Sequence, residues 1–445
     1  MKVLVSAAEY APLVRTGGLG NAVAGISEAL ASRGHELTVA IPGYAEIPPG
    51  DPVADRWERL IASPVEVIGW RDELFDRPGV YGPLPGTGYE DNWLRYGKFS
   101  MAVAALASEF EVGHLHDAHV GLVAAAGNLS TVLTIHNAAH QMLGPLDEVA
   151  ALLGRTGPVT IGGDLEWYGS ASFLKAGMAH AFRVTTVSPG HAAELTAEET
   201  SFGLDGVVAQ LDHPIIGILN GIDTESWDPA TDPTLPQNFS ADQLGRRAAN
   251  WVALLDRAGL DEGVLFGNVG RMARQKGFEL LSPILPGLIA DGFRLVLVGN
   301  GELDDLVDSW VEAYPGAVAH LPYDETLARL VSAGCDSYLM PSEFEPSGLG
   351  QMYAMRYGAP PVVRFTGGLA DSVIDVAADP AAATGFGFVP YNSEALDGVI
   401  REAMRTLEDA PDTWRDLQVN GMKTDWSWGA RAADYEAVLE AALVG

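Results

Sequence analysis

The chain has 445 residues, too many for one ordinary hydrophobic core and suited to two domains. Its formal net charge of −32, from 59 acidic against 27 basic side chains, excludes DNA and RNA partners, which draw on clustered lysine and arginine. The single cysteine, Cys335, leaves no intrachain disulfide or thiolate metal cluster, and no apolar run approaches the roughly 18 to 20 residues of a membrane helix.

These bounds predict a cytoplasmic protein with no membrane partner, in which an anionic ligand must find local cations. Residues 3–5 form the first β-rich run, and a loop through Gly17, Gly18 and Gly20 follows. Val23, Ile26 and Leu30 then recur at helical spacing up to a stop at Gly34. With a second strand at 37–41 this is a β–loop–α–β unit of the doubly wound α/β kind. Further strands are expected at 131–135, 184–187 and 215–219. The word HLHDAHVG carries His114, His116, Asp117 and His119. It is read as holding no metal, on the expectation that alternate histidines of a strand point to opposite faces. TIHNAAH sets His136, Asn137 and His140 as a polar cluster at the end of a strand.

After Asn220 the segment GIDTESWDPATDPTLPQNFSADQLG is rich in turn-forming residues and reads as a surface connection between domains. The expected division is 1–228, 240–425 and a terminal helix in 426–445. Strands of the second domain are predicted at 265–269, 294–298, 317–320, 337–340 and 361–364. The loop GRMARQKGF places Arg271, Arg274 and Lys276 directly after the first of these. In so acidic a chain, such a cluster suits the clasp of a phosphate. Glu345 precedes a turn at Ser347, Gly348, Leu349 and Gly350 that opens a helix. Backbone N–H groups there can hold phosphate oxygens while the carboxylate accepts from sugar hydroxyls. TGGL at 16–19 returns at 366–369, and Tyr323, between a strand and a helix, suits stacking on a nucleobase. The chain lacks both a GxxxxGK[ST] loop and a GxSxG elbow, against P-loop hydrolysis and serine esterase chemistry.

RTGGLGN, HDAH, TIHNAAHQ, FLKAGMAHAFRVTTVSP, LNGIDTESWDP, GRMARQKG, PYDE, EPSGLGQMYAMRYG with FTGGLAD, and TGFGF followed by WSW run in unbroken order. By these words the chain resembles the bacterial glycogen and starch synthase family of glycosyltransferases over nearly its whole length. The resemblance implies a GT-B fold: two Rossmann-like domains facing a deep interdomain cleft, with a C-terminal helix crossing back to the first. It also implies an ADP- or GDP-linked sugar donor, a saccharide acceptor, retention of configuration, and no metal or other cofactor. Carried over by position, Arg271 and Lys276 would neutralise the diphosphate, Glu345 would bind the sugar ring and steady developing positive charge, and His136 would line the sugar pocket. Tyr323 would stack on the base. Arg15 with Gly17 and Gly18, the Ser347–Gly350 turn, and Asn220 would complete the donor site, while Asn21, Asp117, His119, Asn137 and His140 would serve the acceptor.

The chain departs from the family pattern in a few places. Arg15 stands for lysine, Asn21 for aspartate, Ala118 for tryptophan, His140 and Met142 for tyrosine and glycine, Ser347 for cysteine and Gly350 for threonine. Loss of a flat ring at Ala118 favours a small or specialised acceptor, so the expected enzyme transfers a glucose-like unit to such a saccharide. Three alternatives accompany it. One is a pseudoglycosyltransferase of an acarbose-type pathway, joining a nucleotide-activated valienol-like cyclitol to an amino sugar through nitrogen. The others are an ADP-glucose-dependent α-1,4-glucan synthase and a non-catalytic nucleotide-sugar-binding protein.

Overall fold

The structure is a computed structural model that describes residues 1–84 and 86–444. It divides into a first unit, Met1–Gly221 with the stretch from Trp428 on, and a second, Ile222–Ser427.

In the first unit the strands are β1 (Lys2–Ser6), β2 (Glu36–Pro42), β3 (Asp51–Ala54), β4 (Trp57–Ile61), β5 (Glu66–Trp70), β6 (Val112–His116), β7 (Thr131–Ile135), β8 (Leu143–Pro145), β9 (Glu166–Trp167), β10 (Ser170–Ser172), β11 (Arg183–Thr186) and β12 (Ile216–Gly217). Nine of them make one sheet in the order β12-β11-β7-β6-β1-β2-β5-β4-β3, parallel from β12 to β5 and closed at the edge by the antiparallel pair β4 and β3. Continuous apolar runs suit this sheet, because helices cover both faces of its parallel strands. Val3, Leu4 and Val5 are fully buried, each burial favouring the fold by roughly 1.5–3 kcal/mol. The helix Gly18–Ser32 buries Val23, Ile26 and Leu30. Against it packs the helix Gly429–Val444, which buries Tyr435 and Leu439. Glu436 ties the two by accepting from Arg33 and from His35 at 2.7 Å.

The second unit carries β13 (Val264–Val269), β14 (Phe293–Val298), β15 (Val318–Leu321), β16 (Ser337–Met340), β17 (Pro361–Arg364) and β18 (Phe386–Phe388), all parallel in the order β15-β14-β13-β16-β17-β18. In both sheets the strand order reverses beside the unit's first strand: β1 lies between β2 and β6, and β13 between β14 and β16. The loops leaving β1 and β6, or β13 and β16, diverge there and leave a crevice at the strands' carboxyl ends.

The segment after Asn220 is not a solvated connection. Residues 222–239 belong to the second unit, with Asp232 1%, Leu235 8% and Phe239 2% exposed. Asp232 accepts from Tyr357 at 2.6 Å and Arg329 at 3.2 Å, and the Arg329 guanidinium lies 4.2 Å from the Trp227 ring centre. The turn residues are real, since Asp223, Asp228 and Asp232 each accept from a backbone N–H two residues on. Their turns simply lie on a surface that Arg329 and Tyr357 provide, so the units part at Gly221 and again at Ser427.

Candidate active site

In the second unit, the loop after β13 and the loop after β16 bring two of the expected residues into contact. Lys276 Nζ donates to Glu345 Oε2 at 2.6 Å, and Ser342 Oγ donates to the same oxygen at 3.2 Å. Only 19% of the lysine side chain and 10% of the glutamate side chain is exposed, so water screens the pair weakly. The backbone forces the meeting. Glu343 N donates to Gln275 O at 2.8 Å, and Gln275 Nε2 to Phe344 O at 3.0 Å. Gly277, at φ 73°, lets the first loop lie on the second: a Cβ there would stand 2.1 Å from Pro341 O.

Ser347 and Gly348 lie on the turn before the helix Gly350–Arg356. The second TGGL segment supports them from beneath, with Gly368 N donating to Glu345 O at 3.0 Å, and a Cβ on Gly368 would meet Ser347 O at 2.3 Å. Gln351 Nε2 donates to Ser347 O, Gly348 O and Ser372 Oγ at 3.0–3.1 Å, fixing the turn that Leu349 completes. Ser347 Oγ is buried without a hydrogen-bond partner, a donor aimed at no group of the protein. Arg271 is exposed and forms no ion pair among the described residues. Arg274 is spent otherwise, 73% exposed and 3.8 Å from Glu279. Tyr323 is 53% exposed just before the helix Glu325–Gly334, which Asp324 caps by accepting from Leu327 N at 2.8 Å. Tyr353 packs on Trp227 with ring centres 4.1 Å apart. Cys335 is buried, its thiol pushed up to about 12, and takes no part.

In the first unit the other expected residues follow β1, β6, β7 and β12. Asp117 takes a left-handed backbone, φ 63°, at the end of β6, and its Oδ1 accepts from His136 N at 2.6 Å and Asn137 N at 3.3 Å. Burial pushes its carboxyl up to about 7, against the opposing pull of those two N–H groups. His136 Nε2 lies 2.9 Å from His116 Nδ1. Burial lowers His136 and His119 to about 3, so both rings are neutral near neutral pH and act through a hydrogen bond or a flat face rather than as cations. His119 stacks on Tyr81 with ring centres 5.0 Å apart. Asn137 Oδ1 accepts from Ala139 N at 3.1 Å, and His140 is exposed. Asn21 is half-buried in the helix Gly18–Ser32, and Asn220 is 5% exposed with an unpartnered Oδ1.

The structure corrects two readings. His114 and His116 do not diverge: their ring centres are 4.1 Å apart, because residues two apart on a strand share a face. Their nitrogens are partly used, His114 Nε2 with Thr134 Oγ1 at 2.8 Å and His116 Nδ1 with His136. Among the described residues no group of three potential ligands is placed to hold a metal ion. Ala118 is 1% exposed and belongs to the unit's core, so the missing tryptophan there is a matter of packing within this unit.

Two residues absent from the expected set organise the first loop. The Glu9 carboxylate, on a residue 2% exposed, accepts from Thr16 N at 2.7 Å, from Thr16 Oγ1 at 2.8 Å and from the Tyr81 hydroxyl. This anchors the turn carrying Arg15, Gly17 and Gly18. The available signal was a lone acid inside the apolar stretch AAEYAP, a residue type seldom buried without donors.

Comparison with known proteins identifies the family. Residues 2–210 match the family described as starch synthase catalytic domain, and residues 257–414 the family described as glycosyl transferases group 1. A glycogen synthase of Alkalilimnicola ehrlichii is 39% identical, covering 98% of this chain and 97% of its own. A glycogen synthase 2 of Agrobacterium fabrum is 37% identical over 100% of this chain and 93% of its own. Among solved structures, the catalytic domain of starch synthase IV from Arabidopsis thaliana bound to ADP and acarbose superposes with a TM-score of 0.88 at 28% identity, covering 100% of this chain and 99% of that one. Anabaena HepE in complex with UDP-glucose, at TM-score 0.59 and 17% identity, covers 99% and 100% and shares the fold, which is GT-B. The chain belongs to the glycogen and starch synthase family and is a glycosyltransferase that uses a nucleotide-sugar donor and a saccharide acceptor.

Proposed function

We propose that this enzyme transfers glucose from ADP-glucose to an α-1,4-glucan with retention of configuration and without a metal ion. The observation that carries the reading is the end-to-end likeness to glycogen synthases, joined to the Lys276–Glu345 pair at 2.6 Å. In the reaction, the bond between the anomeric carbon and the diphosphate oxygen breaks as the acceptor hydroxyl oxygen bonds that carbon on the same face. The acceptor's proton passes to the departing phosphate oxygen, so no separate base is required. Arg271 and Lys276 stabilise the charge on the leaving group, and Glu345 orients the sugar and steadies the positive charge at its ring. His136, kept neutral by burial, lines the sugar pocket. Tyr323 carries the base, while Arg15, Gly17, Gly18, Asn220 and Ser347–Gly350 hold the rest of the donor. Asn21, Asp117, His119, Asn137 and His140 serve the acceptor, and the protein works in the cytoplasm.

A specialised acceptor remains the second reading, favoured by one observation. Met142 holds φ 50°, in the left-handed region, where the family carries glycine. A panel of ADP-, GDP- and UDP-glucose against glycogen, maltose and an amino sugar, with and without EDTA and read by mass spectrometry, separates the two. Elongation of glycogen from ADP-glucose in EDTA is expected. Product with the amino sugar alone would replace the glucan reading by the specialised one, and a requirement for metal would remove the cationic clamp from its role.

A further inference from the structure

Two neighbouring residues at the end of β6 hold His136 by different parts. His116 is paired with Thr134 in the ladder of β6 and β7, which brings the two strand ends together. There the Asp117 carboxylate grips the backbone N–H of His136, and His116 grips its ring, with His116 Nδ1 and His136 Nε2 2.9 Å apart. His116 is itself fixed in place: it is 1% exposed, and its ring centre lies 4.1 Å from that of His114 and 5.2 Å from that of His136. The reaction above makes no use of this contact between rings.

The contact decides what His136 can offer a ligand. Burial keeps both imidazoles neutral near neutral pH, so each ring has two nitrogens and one proton. The gap between the facing nitrogens holds a single hydrogen. If His136 supplies it from Nε2, the proton of His116 must sit on its own Nε2, a buried atom without a partner among the described residues. If His116 supplies it from Nδ1, only the lone pair of that Nε2 is left buried. A buried N–H with no acceptor is rarer than an unsatisfied acceptor, so His116 is the donor. His136 then accepts at Nε2 and carries its proton on Nδ1. The residue is half-buried, and among the described residues no group bonds that Nδ1, which makes it the one polar ring atom left for a ligand.

We propose that His116 is a positioning residue whose Nδ1–H locks His136 in the Nδ1-protonated tautomer, so that His136 presents a hydrogen-bond donor to an oxygen of the transferred sugar. This rests on the reading of His136 as lining the sugar pocket. The test joins nitrogen NMR of the whole protein, carrying isotope-labelled histidines, with turnover of ADP-glucose for the wild type, His116→Phe and His116→Asn; His136→Ala identifies the His136 signals. Phenylalanine keeps a ring and loses the bond, whereas an asparagine amide stands where Nδ1 stood and can still donate. The wild type should show His136 as a single, Nδ1-protonated tautomer, and His116→Phe a mixture. Turnover should fall roughly ten-fold in His116→Phe and return to within about three-fold of the wild type in His116→Asn. A wild-type His136 protonated on Nε2, or present as a mixture, would overturn the lock, and this spectrum decides the matter even where His116→Phe fails to fold. A fully active His116→Phe beside a slow His116→Asn, the order that packing alone requires, would overturn it too. A changed tautomer in His116→Phe with unchanged turnover would instead remove His136 from the sugar pocket and leave the lock standing.

Discussion

Acidification from about pH 7 to about pH 5 should destabilise the first unit by an amount that its buried groups set. His114, His119 and His136 are each held near 3 by burial, against an ordinary value of 6.5. Their preference for the folded state is complete only above 6.5 and is lost as pH falls towards 3, because the unfolded chain takes up the protons first. Each imidazole costs about 2 kcal/mol over the interval by this linkage. Asp117 acts in the opposite sense. Its carboxyl is raised from 3.8 to about 7, so the stability it contributes is present at low pH and lost as pH rises through the folded value. Acidification over the same interval therefore returns about 2 kcal/mol through Asp117, leaving a net loss of roughly 3–4 kcal/mol. His116, also pushed well below its ordinary value by burial, adds to the loss. Asp117→Asn keeps an acceptor for the His136 and Asn137 N–H groups but has no proton to gain. Calorimetric melting across this range should therefore show the variant losing about 2 kcal/mol more than the wild type. Parallel stability curves for the two proteins, or a flat wild-type curve, would refute the argument.

Three further outcomes concern the second unit. Lys276→Ala and Glu345→Gln should each lower kcat by at least about 100-fold, and urea titration of the double-mutant cycle should give a coupling of about 1–3 kcal/mol; strictly additive effects would deny that the pair acts together. Gly277→Ala meets both a left-handed φ and Pro341 O at 2.1 Å, whereas Gly259→Ala, at φ 66°, meets open space. The first should cost at least about 3 kcal/mol and the second about 1 kcal/mol, and equal falls in melting temperature would count against the loop contact. Arg271→Ala should raise the KM for the donor while shifting stability by less than about 0.5 kcal/mol, since the side chain is exposed and unpaired among the described residues. An unchanged KM would take Arg271 out of the donor site.

Most of the parallel strands were legible because they are short apolar runs, as at β1, β13 and β16, whereas the parallel strands β5 and β18 were not. The edge strand β3 was not legible either, since it is exposed along its whole length and shows no alternation to read. The strands β8, β9 and β10 are two or three residues long, below any periodic signal. Turn chemistry was read correctly between Asp223 and Asp232, but burial of that segment depends on Arg329 and Tyr357, about a hundred positions away. The site was legible where one loop carries several chemical groups, as in GRMARQKG and EPSGLG. It failed for Glu9 and Tyr81, whose contact spans 72 positions and leaves no local pattern. The histidine faces were a misapplied period: successive residues of a strand alternate, and residues two apart do not.

The return of the helix Gly429–Val444 to the first unit gives the molecule an order of assembly during synthesis. The second unit, Ile222–Ser427, is a continuous stretch and can fold as soon as it leaves the ribosome. The first unit, although translated earlier, must wait for the helix that covers Gly18–Ser32 and sets Tyr435 beside His114, with ring centres 5.5 Å apart. Until then the nascent first unit keeps uncovered the apolar face against which Tyr435 and Leu439 later pack.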